Sequence, residues 1–383
     1  MSLLPVSLDV SAVPSQPAGA GVYILHLAAA LARSPEVSLR LVTRRNDAGR
    51  FLSLAPDAVV RPVAPGPRPA RLAWEQTRLP QVLRRLDVEV HHSPHYTMPE
   101  ASRLPRVVTV HDLTFFDHPE WHEGAKAVFF RRAIRVAARH ADTVVCVSQT
   151  TATRLRALCP PRGRLCVIPH GVDQTRFRPA EREEEAADRR ALAEIGVNPP
   201  YVAFVGTIEP RKDLPTLIRA FDRMCGTHPG LRLVVAGGRG WGLRPVDRAL
   251  EEARFRDRVV QTGYFDEEHK PALLRQAAAV AYPSLEEGFG MPVLEALACG
   301  SPLVTTTGSA MEELAEGAAL LVAPGDVDGL AGALDMVVRE DAGLPARRVR
   351  GLAVAARHSW DAAASSYAEV YRQTREGATS QVA

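Results

Sequence analysis

The sequence predicts an α/β protein made of two doubly wound parallel sheets, and three observations predict it. The 383 residues are more than one hydrophobic core ordinarily organises, and two domains of this size could each bury a core without disulfides or metals. Short β-branched runs alternate with helix-period stretches, the pattern of βαβ units. A proline-bearing, charge-dense segment at 178–188, with Glu181, Glu183, Glu184 and Glu185, separates two such series and reads as a surface linker running into a helix. Two Rossmann-like domains facing each other across a cleft are therefore expected, at residues 1–178 and 179–358.

In the first half the expected strands are 6–10, 37–42, 88–92, 107–110 and 143–148, with helices over 22–32 and around 129–139. In the second half they are 201–207, 231–236, 259–263, 279–283, 302–306 and 319–322. Between the first two of these, Leu214, Leu217, Ile218, Phe221 and Met224 fall at i, i+3, i+4, i+7 and i+10, one face of a helix. Residues 359–383 are read as a C-terminal helix packing back on the first domain. They belong to an amphipathic stretch, 347–375, around Trp360, Tyr367 and Tyr371, and a disordered tail is expected from Glu376.

Composition excludes disordered, collagenous and coiled-coil classes: 46% of residues are hydrophobic, 24% are charged, and mean hydropathy is −0.09. The five cysteines include no C-x-x-C pair and sit mostly beside apolar residues, as buried thiols of a reducing compartment do. The apolar run at 22–32 is too short to span a bilayer and lacks the flanks of a signal peptide, so a cytoplasmic protein is expected. Net charge is +3, but residues 1–178 carry 24 Lys and Arg against 14 Asp and Glu, and the remainder 23 against 30. A first half at +10 suits phospholipid headgroups or a phosphate-bearing acceptor, hence peripheral contact with the inner face of the membrane, and equally a scatter of surface arginines. No nucleic-acid partner is expected. Only Lys126, Lys212 and Lys270 are lysine among 47 basic residues, which makes Lys212 more informative than any arginine.

Parallel sheets bind ligands beyond the carboxyl ends of their strands. After the strand at 201 comes Gly206-Thr207-Ile208-Glu209-Pro210-Arg211-Lys212, a glycine permitting close approach, then two cations leading into a helix. That arrangement suits a diphosphate: arginine offers a fork, lysine a point charge, and the helix start adds positive potential. After the strand at 279 comes Glu287-Gly288-Phe289-Gly290-Met291-Pro292, with Glu295 further along. The Gly-Phe-Gly turn presents amides at a helix start, and carboxylates there suit sugar hydroxyls better than an anion. Asp326-Val327-Asp328 is formally D-x-D but opens a helix and reads as an N-cap. His91, His92 and His95 are irregularly spaced, so lining an acceptor cleft or simple exposure fits them better than a metal.

The pair Glu287/Glu295 in "EEGFGMPVLEALACGSPLV", with "VGTIEPRKDLPTLIRAF", "VIPHGVD" and "VTVHDLTFF", resembles the retaining family-four glycosyltransferases of the GT-B fold, group 1 type. "WEQTRLP", "HSPHYTMP", "AGGRGWG" and "HSWDAAASSYAEVYR" extend the resemblance over most of the chain. It implies a nucleotide-sugar donor in the second domain, with Arg211 and Lys212 on the diphosphate and Gly206 and Thr207 beside it. Glu287 would contact the transferred sugar, Phe289, Gly290 and Met291 would form the turn that holds sugar and phosphate, and Glu295 would bind the ribose. His111 matches the family's histidine near the reacting sugar, so the implied catalytic set is His111, Arg211, Lys212 and Glu287. On the acceptor side, Asp112 would position its loop, and Gly19 and Gly21 would approach the phosphates, although Val22 stands where this family often has arginine.

The resemblance further implies same-face substitution with retention, no metal and no cofactor other than the nucleotide sugar as substrate. The donor most in keeping with it is GDP-mannose, as in bacterial mannosyltransferases, with UDP-sugars next. The acceptor would be a glycan, a lipid-linked sugar or a small molecule. A sugar-nucleotide epimerase and a noncatalytic subunit on the same fold stand as alternatives.

Overall fold

The computed structural model describes residues 3–340 and 343–380. The chain divides into two compact units: one runs to Gly171 and includes the helix Trp360–Ser380, and the other runs Val172–Ser359. The break falls at 171/172, before the expected 178/179, because Val172 already belongs to the second unit. Its amide donates to the His358 carbonyl at 2.9 Å, and it bridges to Ser359.

The first unit holds seven parallel strands: β1 (Leu4–Asp9), β2 (Val37–Arg44), β3 (Val59–Ala64), β4 (Val90–Ser93), β5 (Arg106–Val110), β6 (Thr143–Cys146) and β7 (Arg164–Val167). Their order is β3-β2-β1-β4-β5-β6-β7, which reverses direction between β1 and β4. The second unit holds β8 (Tyr201–Val205), β9 (Arg232–Ala236), β10 (Val259–Gly263), β11 (Ala279–Tyr282), β12 (Leu303–Thr306) and β13 (Leu320–Val322). Their order is β10-β9-β8-β11-β12-β13, also parallel, with the reversal between β8 and β11. Both units are thus Rossmann-like and doubly wound, and each has one crevice where helices leave the sheet in opposite directions.

The inner strands are apolar on both faces, as parallel sheets covered by helices require: β6, β8, β11 and β12 are buried throughout. The two strands that the sequence does not announce, β3 and β7, are the edges of the first sheet. β3 is mostly exposed and carries Pro62, which an edge tolerates because its missing amide costs no inner ladder bond.

The expected 347–375 stretch is two helices, Leu344–Arg357 and Trp360–Ser380. His358 leaves helical backbone at φ −104°, ψ 75°, freeing its carbonyl for Val172. The second helix continues past Glu376 to Ser380, so the disordered tail does not begin there; residues 381–383 lie outside the described residues. Its inner face meets the first unit through hydroxyls. Tyr367 Oη pairs with Tyr23 Oη at 2.7 Å and with Thr109 Oγ1 at 3.2 Å, Tyr371 Oη with His92 Nδ1 at 2.7 Å, and Thr374 Oγ1 with Thr143 Oγ1 at 2.7 Å. The expected linker opens the helix Arg182–Glu194 through a capping box between Glu181 and Glu184. Asp188, at the linker's expected end, is buried in a two-pronged pair with Arg275 at 2.6 and 2.7 Å. Asp326 caps its helix by accepting from the Gly329 amide at 2.9 Å, as expected.

At the carboxyl ends of β8 and β9 two backbones touch. The Gly206 amide donates to the Ala236 carbonyl at 2.9 Å, and Ile208 to Gly238 at 3.0 Å. Gly237 lies at φ 150°, where a Cβ would stand 2.0 Å from the Gly206 carbonyl oxygen. Gly237→Ala should therefore push the two loops apart and lower the urea midpoint of the protein, at a cost of about 2 kcal/mol or more.

Candidate functional site

In the second unit the loops leaving β8 and β11 flank the reversal point, and a backbone bond from Leu285 to the Arg211 carbonyl, 2.8 Å, ties them. The β8 loop closes in a short 3-10 turn, Pro210–Lys212, that aims both cations across the gap. Glu287 receives them: Arg211 Nη1 donates to Oε2 at 2.5 Å, and Lys212 Nζ to Oε1. Glu209 takes the Nε of Arg211 at 2.5 Å, and the Tyr282 hydroxyl contacts Lys212 Nζ, which also stands 4.5 Å from the centre of that ring.

Lys212 is 6% exposed and Glu287 7%, so neither charge would persist there alone. Burial opposes ionisation of Glu287, yet the Arg211 and Lys212 charges and hydrogen bonds outweigh it and hold its pKa below the ordinary range. Burial lowers the pKa of Lys212, with the Glu287 charge opposing. Two carboxylates, Glu209 and Glu287, thus balance two cations.

Gly290 caps the helix Met291–Ala298 at φ 95°, a left-handed conformation that favours glycine, and a Cβ there would lie 3.0 Å from Met311 Cγ. Phe289 is buried with its ring 6.3 Å from that of His358. Met291 and Gly206 are half-buried, and Thr207 is exposed. One helical turn beyond the Gly290 cap, Glu295 is buried and forms an ion pair with Lys270, Oε2 to Nζ 2.7 Å. Burial raises the Glu295 pKa, with the Lys270 charge opposing. The structure therefore brings Arg211, Lys212 and Glu287 into one cluster, with Glu295 in a separate pair with Lys270 on the helix that follows the Glu287 loop. Sequence reasoning assigned Glu287 to the sugar alone; the structure pairs it with both cations. It also missed Glu209, Tyr282 and Lys270. The usable signal was lysine scarcity, since two of the three lysines serve these two pairs.

The first unit has its own cluster at the ends of β4 and β5. His111 is buried, and its Nε2 lies 2.8 Å from the Pro94 carbonyl. A carbonyl only accepts, so Nε2 carries the proton and Nδ1 is the acceptor. Burial lowers the His111 pKa, with the Pro94 bond and the Asp112 charge opposing, so the ring is neutral at pH 7. Asp112 accepts from the Thr114 amide at 3.2 Å and from its hydroxyl at 2.8 Å, and its own amide donates to Tyr96 Oη at 3.1 Å. Gly19 caps the helix Ala20–Ala32 at φ 50°, and Gly21 packs against Pro14 and Pro17.

His91 and His92 are not exposed, nor do they line a cleft. Both are fully buried, bonded to Ser7 and Ser93 and to Tyr371 and Thr109 respectively; His95 is half-buried. Glu75, inside "WEQTRLP", was not singled out by the sequence, yet it is a buried carboxyl pushed up to about 7 by burial and by the Asp9 charge, against the Thr97 hydrogen bond.

Two parallel doubly wound sheets, with a charged cluster at the reversal point of the second, define a two-domain α/β protein whose cluster stands where such sheets commonly bind ligands. The profile described as Glycosyl transferases group 1 matches residues 187–351, and that described as Glycosyltransferase Family 4 matches residues 17–176. A D-inositol 3-phosphate glycosyltransferase of Nocardia farcinica is 31% identical over 385 residues, covering 92% of this chain and 84% of that one. The O-antigen chain mannosyltransferase B of Escherichia coli is 28% identical over 309 residues, covering 79% and 77%. The solved structure of Anabaena Alr3699/HepE in complex with UDP-glucose superimposes with a TM-score of 0.76 at 20% identity, over 97% of this chain and 100% of that one, a likeness of fold. The chain belongs to the family-four, group 1 glycosyltransferases, of the GT-B fold.

Two substitutions test the electrostatics. Glu287→Gln leaves Lys212 buried beside Arg211 without its counter-ion, and should cost about 3 kcal/mol in urea unfolding at pH 7. Glu75 has a folded pKa of about 7 against an ordinary 4.5, so its contribution to stability is fully present below 4.5 and is lost as pH rises through 7. Glu75→Gln should therefore be more stable than wild type at pH 8, by about 2 kcal/mol, and equal to it near pH 4.

Proposed function

We propose that this glycosyltransferase moves mannose from GDP-mannose, or failing that a hexose from a UDP-sugar, to a glycan, glycolipid or small-molecule acceptor, with retention and without a metal. The observation that carries the reading is the paired half-buried Arg211 and buried Lys212 at the β8/β11 reversal, poised around Glu287. Breaking an anomeric bond to a diphosphate leaves negative charge on the departing phosphate, and a fixed guanidinium and ammonium stabilise that charge where it develops. Glu287 then exchanges its cations for hydroxyls of the transferred sugar, and Glu295 takes the ribose hydroxyls. Phe289, Gly290 and Met291 supply the turn beside the phosphates, with Gly206 and Thr207 across from it.

In the first unit, neutral His111 offers Nδ1 as a hydrogen-bond acceptor to a sugar hydroxyl, Asp112 shapes its loop, and Gly19 and Gly21 shape the loop after β1. Retention follows from same-face substitution, in which the departing phosphate takes the acceptor's proton. The mannosyl assignment is supported by the relative whose name carries it; the UDP-sugar alternative by the fold neighbour solved with UDP-glucose. An acceptor with a phosphate or lipid headgroup at the inner membrane face suits the +10 charge of residues 1–178.

Calorimetric titration with GDP-mannose, UDP-glucose and UDP-N-acetylglucosamine tests the donor. One of them should bind, GDP-mannose most tightly, and Arg211→Ala should weaken that binding about 10- to 100-fold. Equal binding by wild type and Arg211→Ala would sink the phosphate assignment, and a loss of binding on adding EDTA would sink metal independence.

A further inference from the structure

Two sequence motifs that the proposed chemistry leaves unused, "WEQTRLP" and "HSPHYTMP", meet in the first unit. Helix Arg68–Thr77 carries Glu75 and Gln76 against the loop at 94–100 that leaves β4. Gln76 spans it: Nε2 donates to the Met98 carbonyl at 2.8 Å, and Oε1 accepts from the Glu100 amide at 3.0 Å. Thr97 Oγ1 donates to Glu75 Oε2 at 2.9 Å.

The other end of the same loop holds the reactive side of the unit. Pro94 bonds His111 Nε2, Tyr96 Oη accepts from the Asp112 amide, and the Tyr96 amide donates to the Thr109 carbonyl at 3.0 Å. Tyr96 sits at φ 59°, a left-handed backbone that a tyrosine keeps only where its surroundings impose it. Tyr96 and Met98 are buried in the core, whereas Thr97 and Glu100 border a cavity of about 70 Å³ with Gln76 and Arg132, so on that side the hydrogen bonds of Gln76 and Glu75 add to the packing that holds the loop.

We propose that Gln76, with Glu75, is a positioning residue for His111: the clasp sets the 94–100 loop, and through the Pro94 carbonyl it selects the imidazole tautomer that leaves Nδ1 as the acceptor. This rests on the reading of His111 as a group that serves transfer. Neither residue touches a substrate in this role; both act through the loop.

The test is nitrogen NMR of histidine-labelled protein, with His111→Gln to assign the ring, read alongside turnover of GDP-mannose and UDP-glucose. In wild type His111 should show a single Nε2–H tautomer. In Gln76→Leu, which keeps the side chain's bulk and removes its bonds to Met98 and Glu100 together with the 3.2 Å bond from its Nε2 to Glu75 Oε1, the ring should shift to a mixture of tautomers. Its kcat should fall about 10- to 100-fold while the donor KM moves less than about threefold. Thr97→Val, which removes the Glu75 bond alone, should shift the ring the same way by less, and it decides the matter should Gln76→Leu not fold. An unchanged His111 tautomer in both folded variants overturns the proposal. A wild type that turns over neither nucleotide sugar overturns the proposed function instead, and the imidazole signals still decide the positioning.

Discussion

The second unit is organised around one buried carboxylate. Glu287 accepts from Arg211 and Lys212 at once, and the two loops carrying these charges leave neighbouring strands on either side of the sheet's reversal point. Two cations cannot be desolvated side by side without a counter-charge, because their mutual repulsion adds to the loss of hydration. The fold supplies that counter-charge from β11, and Glu209 adds a second on the β8 side. The geometry then constrains much else. The β8 loop must lie close against β9, which is why glycine stands at 237, and the β11 loop must turn sharply into a helix, which is why glycine stands at 290.

Such a site is preorganised and self-neutralised together. Its cations are held in place by their own counter-charges, the condition under which fixed charges stabilise a developing negative charge most effectively. Their charge is matched within the site, Arg211 by Glu209 and Glu287 and Lys212 by Glu287. The first unit solves its problem without ionic charge on its rings. His92, His111 and His170 all have lowered pKa values, with burial the largest cause. They stand there as buried rings packed against tyrosines: His92 bonds Thr109 and Tyr371 and lies 5.0 Å from the Tyr367 ring, and His111 and His170 lie 4.9 and 4.5 Å from the Tyr23 ring.

Much of this was legible in the sequence, and the reason is local. Strands buried on both faces read as apolar runs, so the inner strands of both sheets were visible, whereas edge strands β3 and β7 bury little and left no run to see. Arg211, Lys212 and Glu287 were identifiable because loop glycines and adjacent charges after a strand form a short contiguous pattern. Their mutual pairing was not, since Lys212 and Glu287 are 75 residues apart and only the strand order brings them together. Glu209 and Tyr282 escaped for the same reason: a glutamate two residues before an arginine, or a tyrosine ending a strand, is unremarkable until the partner loop is in place.

The same distinction separates the residues expected to touch substrate from those that hold them. A group that meets a ligand must carry a particular chemistry, so its residue type stands out wherever it falls in the chain. A group that holds another needs only a partner at the right distance, and its meaning lies in the pair. Gln76 and the 94–100 loop show this in the first unit: two ordinary segments, one helical and one irregular, become informative when Gln76 is seen to bond Met98 and Glu100 together. The loop bonded there also places Pro94 against His111. A sequence motif without obvious chemistry is accordingly best read as half of a contact, with the other half sought among the remaining unexplained motifs of the same unit.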